Sequence, residues 1–413
     1  MIRFLSKIYL VVLMISGWQS LPAQLTERLF VADRSIDSLD KGRLSVDVDN
    51  LSFFKDNEYV TTVERGYTLP GFRLRLNATY FPLANMKIEA GIHSIWFWGA
   101  NRYPSYAYRE IPKWEDGNDA KGVHLLPWFR VQLAVSDNFN IVLGDIYGGA
   151  EHRLIEPMYN PELNLSSDPE AGIQLLYNNA WLDFDFWTDW MSFVYKDDDH
   201  QEAFTVGISS RFRFNAPDSR FHFYMPVQAL ALHRGGDINA RKETVKTIMN
   251  GAIGAGLEWN IDCKILKLIG AEFDFFGYAF PKGREANPKS GSGLNASVSA
   301  QLRNVFVKTS WWQNKDFMPI FGAPFYGCRS MIFDGMTYDK PSLLHCGIEY
   351  LRPFGKGFAM GVTADMFYNF PNGRNSFEID TDVAVPENIF GQNSNISFGI
   401  VIRACPSFLI KRY

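Results

Sequence analysis

The sequence predicts an all-β protein: a transmembrane antiparallel up-and-down β-barrel of about 16 strands, following a cleaved signal peptide. Three observations carry this reading. Apolar and polar residues alternate with period two along most of the chain. Short and long connections between the alternating segments succeed one another in strict order. The extreme N-terminus has the make-up of an export signal.

Residues 1–23 read as that signal. Arg3 and Lys7 form a positive start, Ile8 to Ile15 a short apolar run, and Leu21-Pro22-Ala23 a cleavage site before Gln24, although Leu21 is larger than the usual small residue. The run is too short for a spanning helix, which needs about 20 residues. The mature chain is then a short lead, 24–42, and one barrel domain within 24–413. Cleavage removes two positive charges and no negative ones, taking the net charge from −4 to −6. So mild a charge argues against nucleic acid as a partner.

Strands are predicted at 43–54, 71–81, 86–98, 122–136, 139–148, 171–178, 181–195, 202–214, 219–233, 244–260, 263–280, 291–302, 305–314, 342–352, 357–369 and 393–403. Phe72 to Tyr80 shows the grammar, every second side chain being apolar. Met86 to His93 repeats it after the turn-like Pro82-Leu83-Ala84-Asn85. Most of these segments reach the roughly 9–11 residues that a tilted spanning strand requires. Short turns follow every second strand: 82–85, 137–138, 179–180, 215–218, 261–262, 303–304 and 353–356. Longer connections fill the alternate places, the pattern of periplasmic turns and extracellular loops.

Lipid is the expected environment of the apolar faces. Charges sit in mid-strand on the polar faces, where a wet lumen hydrates them. Trp96, Trp98, Trp181, Trp190, Trp259, Trp311 and Trp312 cluster near strand ends, where amphipathic rings form interfacial girdles. Closure leaves no unpaired edge in lipid. The predicted location is the bacterial outer membrane.

The signal peptide, the alternating hairpins and the short–long loop rhythm together resemble the porin class of outer-membrane barrels. The resemblance covers nearly the whole mature chain and is architectural, with no sharp motif. It implies a channel for passive diffusion of small hydrophilic solutes, and a terminal aromatic residue for assembly, which Tyr413 supplies. Ala404-Cys405-Pro406-Ser407 departs from the pattern, so the last strand is expected to end near Arg403 and leave a tail. Trimers are common in the class; self-association of this chain stays open, because no residue marks an interface.

Porins commonly oppose a basic wall to an acidic one, and this resemblance suggests pore-lining residues: Arg73, Arg75, Arg130, Arg211 and Arg213 against Asp183, Asp185 and Asp189. Lys87, Glu89 and His93 share the polar face, with Arg75 near His93 if the first hairpin pairs as its alternation demands. The same arginines could simply pair with lumen carboxylates. A constriction loop is expected after Gly149, carrying Glu151, His152, Arg153 and Glu156. The loop 315–341 is its rival.

Other constellations are weaker. Asp197-Asp198-Asp199-His200-Gln201-Glu202 lacks the spacing of a calcium loop and reads as a solvated charged loop. Of the four cysteines, Cys263, Cys328, Cys346 and Cys405, only Cys328 and Cys346 are close enough in sequence to suggest a disulfide; free thiols are the other reading. No GxSxG, HExxH or P-loop occurs, and no pattern joins His93, Ser94 or His222 into a triad, so a non-enzymatic protein without cofactor or metal is expected. Three other classes stay open: a plugged barrel serving as an assembly, adhesion or accessory subunit, a barrel enzyme, and a soluble carbohydrate-binding β protein.

Overall fold

A computed structural model describes residues 29–30, 32, 34–98, 122–193, 201–236, 245–261, 263–283, 288–333, 336–355, 357–370, 375–377 and 393–413. The signal segment 1–23 and Asp197 to His200 lie outside these residues.

The strands run in chain order. They are β1 (Arg43–Glu58), β2 (Tyr67–Leu83), β3 (Met86–Phe97), β4 (Gly122–Ser136), β5 (Phe139–Asp145), β6 (Ala171–Asn178), β7 (Leu182–Ser192), β8 (Ala203–Arg213), β9 (Phe221–Arg234) and β10 (Lys246–Asn260). There follow β11 (Leu266–Lys282), β12 (Ser290–Leu302), β13 (Val305–Lys315), β14 (Met336–Tyr338), β15 (Ser342–Gly355), β16 (Phe358–Asn369), β17 (Asn375–Phe377), β18 (Ser394–Ala404) and β19 (Ser407–Arg412). β14 and β17 form a small separate pair. The remaining 17 segments make one antiparallel sheet. β1 pairs with β2 on one side and with β18 and β19 on the other, so the sheet closes. As β18 and β19 lie end to end along β1, the barrel has 16 staves.

Every predicted strand is present, with ends displaced by no more than four residues. The predicted end near Arg403 is corrected. Asn50 pairs with Ala404 and Asp47 with Ser407, so the register runs through the interruption unchanged. Pro406 is tolerated at the break between β18 and β19: its carbonyl faces β1, so its missing N–H leaves one ladder bond to Val48 unmade and takes nothing from β16. Its carbonyl still accepts from Val48 N–H at 3.0 Å.

The outward faces are apolar from strand to strand. Ile92, Phe129, Ile173, Phe223, Ile253, Phe273, Ile348 and Phe398 are all exposed. In water this belt would be an unburied apolar surface; around a closed barrel it is the surface that lipid solvates. The chain is therefore a bacterial outer-membrane barrel.

The inward faces divide by height. Toward the short-turn end they are largely polar: Gln132, Gln174 and Gln301 are buried there. Toward the long-loop end they become apolar, with Leu69, Ile95, Phe97, Leu230, Phe276 and Leu343 buried. The expectation of an open aqueous lumen is corrected accordingly. Segment 146–170 enters the barrel through two 3-10 turns, Gly149–His152 and Glu156–Met158, and one helical turn, Leu163–Ser166. Segment 316–341 enters beside it and buries Phe317, Ile320, Phe325 and Tyr326. The two meet where Asn160 N–H donates to the Phe321 carbonyl at 2.8 Å. The N-terminal lead reaches the same space: Leu29 is buried, and its carbonyl accepts from Arg403.

Pleating decides the fate of adjacent residues. Trp311 faces outward, but Trp312 turns inward and is 1% exposed, so it leaves the predicted girdle for the plug. Trp312 meets Phe276, Phe317 and Tyr326 edge-on at 5.0–5.6 Å. The same parity explains the cysteines, all of which are free. Cys346 follows inward-facing His345 and points the other way, while Cys328 is buried within the inward loop. The barrel wall separates them, and the predicted bond does not form.

Candidate functional site

Every residue predicted to line the pore faces the interior, and cross-strand register brings several of them together. Arg75 lies opposite His93, Glu89 opposite Arg130, and Asp183 opposite Arg211. They do not separate into a basic wall and an acidic wall, because carboxylates are interleaved one or two strands away. Arg75 pairs with Asp49 at 3.2 Å, Arg130 with Glu89 at 3.2 Å, Arg211 with Glu258 at 2.6 Å and Arg213 with Asp183 at 3.2 Å. Lys87 Nζ donates to the Tyr147 hydroxyl at 2.8 Å, and Asp189 accepts from Ala171 N–H at 2.9 Å. Arg73 donates to the carbonyl of Asn164 in the inward loop.

The loop residues are the anchors of the plug. Glu151 accepts from Arg34 of the N-terminal lead at 2.6 Å, and Arg153 pairs with Asp183. His152 lies between two carboxylates, with Nδ1 2.8 Å from Asp185 and Nε2 2.9 Å from Glu170. A ring with a carboxylate on each nitrogen must carry both protons. It stacks on Trp187 at 3.6 Å, and Trp187 in turn lies over Gly207, where a Cβ would overlap the indole. On the other side of the lumen Glu156 meets His345 Nδ1 at 2.9 Å and Lys308 at 3.4 Å, while His345 Nε2 faces Asp365 at 3.2 Å. His345 also stacks on Phe367, at 4.4 Å. Two imidazole–carboxylate clamps thus tie one loop to β7 and to β15 and β16.

Burial alone would lower the His152 pKa, but the Glu170 and Asp185 charges overcome it and hold the ring at about 10. Burial would likewise raise Glu156 and Glu170. His345 and Lys308 hold Glu156 well below the carboxylate range, and His152 holds Glu170 down. Arg34, Asp49, Glu170, Lys308, His345 and Asp365 had not been singled out in the sequence. Strand parity alone could have found Asp49, since it shares the inward face with Ser45 and Asp47.

A different arrangement occupies the outer wall at the long-loop rim. His233 of β9 faces outward, opposite Thr247 of β10. Its Nε2 lies 2.9 Å from the Gly235 carbonyl, which can only accept, so the proton sits on Nε2. Nδ1 is therefore free to accept from the Thr247 hydroxyl, 3.0 Å away. Phe204, on β8, lies 5.1 Å from the imidazole, and Trp190, on β7, stacks on Phe204 at 5.2 Å. Trp190 Nε1 donates to Glu202 at 2.8 Å. The result is a hydroxyl hydrogen-bonded to an imidazole beside an aromatic shelf, on the outward face near the long-loop end of the strands.

The fold and the filled lumen define the class, an outer-membrane β-barrel with an internal plug. Within it, the chain belongs to the lipid A 3'-O-deacylase-type family, whose model matches residues 36–413. No curated protein matches it. Solved barrels of similar shape include OmpT of Vibrio cholerae, at 10% identity and a TM-score of 0.44, covering 88% of this chain and 97% of that one. The anion-selective porin from Comamonas acidovorans has 11% identity and a TM-score of 0.43, over 88% and 99% of the two chains. OccAB1 from Acinetobacter baumannii has 10% identity and a TM-score of 0.43, over 91% and 100%. At such identities and overlaps these barrels do not speak to what this one does.

Family membership overturns the expectation of a non-enzymatic protein, since a deacylase is an enzyme. The missing linear motif was a poor guide. In a barrel, register brings side chains of neighbouring strands face to face, as it does His233 and Thr247, with no linear motif to join them.

Proposed function

We propose that this barrel hydrolyses an acyl ester of lipid A, at the 3'-O position that the family name specifies, and does so on its outer wall at His233 and Thr247. The observation that carries the reading is the family match over residues 36–413. The lipid-facing position of the His233–Thr247 couple supports the assignment of the site, because an acyl ester held in a membrane approaches a barrel from outside. The aromatic shelf of Trp190 and Phe204 offers an apolar surface for the chain being removed.

In this mechanism Thr247 Oγ1 attacks the ester carbonyl carbon while His233 Nδ1 takes its proton. The tetrahedral intermediate collapses, the sugar oxygen leaves, and His233 returns the proton to it. Water, deprotonated by the same nitrogen, then attacks the acyl-threonine. The free fatty acid is released and the hydroxyl restored. Gly235 holds the tautomer that keeps Nδ1 basic.

The test is mass spectrometry of lipid A from cells expressing the wild type, His233→Ala or Thr247→Ala. The wild type removes one ester-linked chain, and each variant, folded as judged by heat-modifiable mobility, leaves it in place. Unchanged lipid A with the wild type defeats the deacylase reading. Deacylation surviving in both variants defeats the site. Passive solute diffusion, which the sequence favoured, loses support from the filled lumen. A planar bilayer containing the intact protein should show no stable open steps.

A further inference from the structure

The cavity beside His93 does not belong to the outer-wall chemistry and has an excess of unused donors. It measures about 100 Å³, between β1–β4 and the inward loop. That space accepts several waters or one small ion, since a water needs only about 10–15 Å³ of such volume. His93 is 2% exposed, yet neither ring nitrogen has a partner. The Nε of Arg73, the Nε of Arg75 and the indole N–H of Trp128 are also buried and unpartnered, and all four side chains line the cavity. Orphaned buried donors are uncommon and call for a partner.

The charges point the same way. Asp49 receives Arg75 at 3.2 Å and Arg403 at 3.0 Å and 3.1 Å. Arg73 lines the same cavity and has no carboxylate partner among the described residues. Three guanidinium groups, of Arg73, Arg75 and Arg403, therefore converge on a wall where Asp49 is the carboxylate that pairs with them. Of the other charged groups on the wall, Glu151 is held by Arg34, Glu170 by His152 and Arg130 by Glu89, while Asp168 engages His124 through one oxygen at 3.2 Å and leaves the other as an acceptor, so donors still outnumber acceptors. An uncompensated buried charge is costly, and a bound anion removes that cost.

We propose that this cavity is an oxyanion-binding site, in which a phosphate-type group accepts from Arg73, Arg75, His93 and Trp128 and fastens the inward loop to β2 and β3. The donor set is a fork of guanidinium and ring N–H groups, suited to an ion that carries only acceptors. Arg73 already holds the Asn164 carbonyl, so the ion would join loop to wall at the point where they touch. The site goes beyond the deacylase reading and does not depend on it.

The experiment uses the purified full-length protein in detergent, freed of phosphate and sulfate, with its thermal midpoint followed at constant ionic strength. Inorganic phosphate raises the midpoint in a saturable way that chloride does not reproduce. Arg73→Gln and His93→Phe weaken the apparent affinity tenfold or more. His93→Phe keeps the stack on Trp128, and Arg73→Lys keeps one charge should the glutamine variant fail to fold. Phosphatidic acid in mixed micelles forms a second arm. Saturation by free phosphate assigns a soluble ion, whereas saturation by the lipid alone assigns a headgroup; either supports the site. Phosphate acting no better than chloride overturns the proposal, and so does an equal response in wild type and all variants, which would mean an adventitious ion only.

Discussion

The two halves of the barrel interior solve the same problem by different chemistry. Near the long loops the inward face is apolar, and segments 146–170 and 316–341 pack on it as a soluble core would. Near the short turns the inward face is polar, and charges such as Arg75, Arg130, Arg211 and Arg213 are each matched by a carboxylate within hydrogen-bond reach. Apolar packing is non-directional and tolerates a loop of mixed shape. A charged lumen is not tolerant, for each group removed strands its partner. The upper half should therefore hold the plug by area, and the lower half should fix its register. The histidine clamps sit where the two regimes meet.

The largest effect should come from the apolar half. Trp312→Ala removes the ring around which Phe276, Phe317 and Tyr326 are arranged, and should cost about 3–5 kcal/mol. Its neighbour Trp311 faces lipid, so Trp311→Ala should cost much less. Equilibrium urea unfolding in lipid vesicles measures both. Equal losses would mean that the upper lumen is not a packed core.

Next comes the clamp on β15. Glu156→Gln preserves shape but withdraws the charge that His345 and Lys308 share, and should cost about 1.5–3 kcal/mol. In a double-mutant cycle with Lys308→Met the two changes should be strongly non-additive. Additivity would show that the loop is held there by packing alone.

The clamp on β7 gives a pH dependence whose sign can be worked out. His152 is raised in the folded protein, so its contribution is complete below its ordinary value of 6.5 and declines as pH climbs toward about 10. Glu156 and Glu170 are depressed, so theirs is complete above the ordinary value of 4.5 and is lost on acidification. Protection of the 146–170 backbone against hydrogen exchange, corrected for the intrinsic rate at each pH, should peak between these limits and fall on both sides. His152→Gln should reduce the alkaline decline and leave the part that the His345–Glu156 clamp carries. An undiminished decline in that variant would show that His152 is not a titrating group.

The same contrast explains what the sequence made legible. Period two stands out wherever the two faces of a strand differ, as from Phe72 to Tyr80, and that sufficed for the staves and their order. It fades where both faces are apolar, as in Ser342-Leu343-Leu344-His345-Cys346 and at Trp311-Trp312, because the inner face there meets a loop rather than water. The plug is what erased its own signal. Glu151, His152, Arg153 and Glu156 could be named from the loop that carries them. Their partners Arg34 and His345, and Asp365 behind His345, could not, because only closure of the barrel brings them near.

The smallest effect should come from the feature that most disturbed the pattern. Pro406 interrupts the last stave at the polar end, between Ala404 and Ser407. Pro406→Ala adds an N–H that faces the Val48 carbonyl of β1, but it also frees the unfolded chain that the proline ring restrains, and the two effects offset. Its carbonyl bond to Val48 and the pairing of Ser407 with Asp47 do not depend on the ring. The substitution should change stability by no more than about 0.5 kcal/mol by the same urea assay. A gain well above that would mean that the proline strains the stave. A comparable loss would mean that its fixed backbone angle holds β18 and β19 in line along β1. That would make the polar end as dependent on local shape as the apolar end is on Trp312.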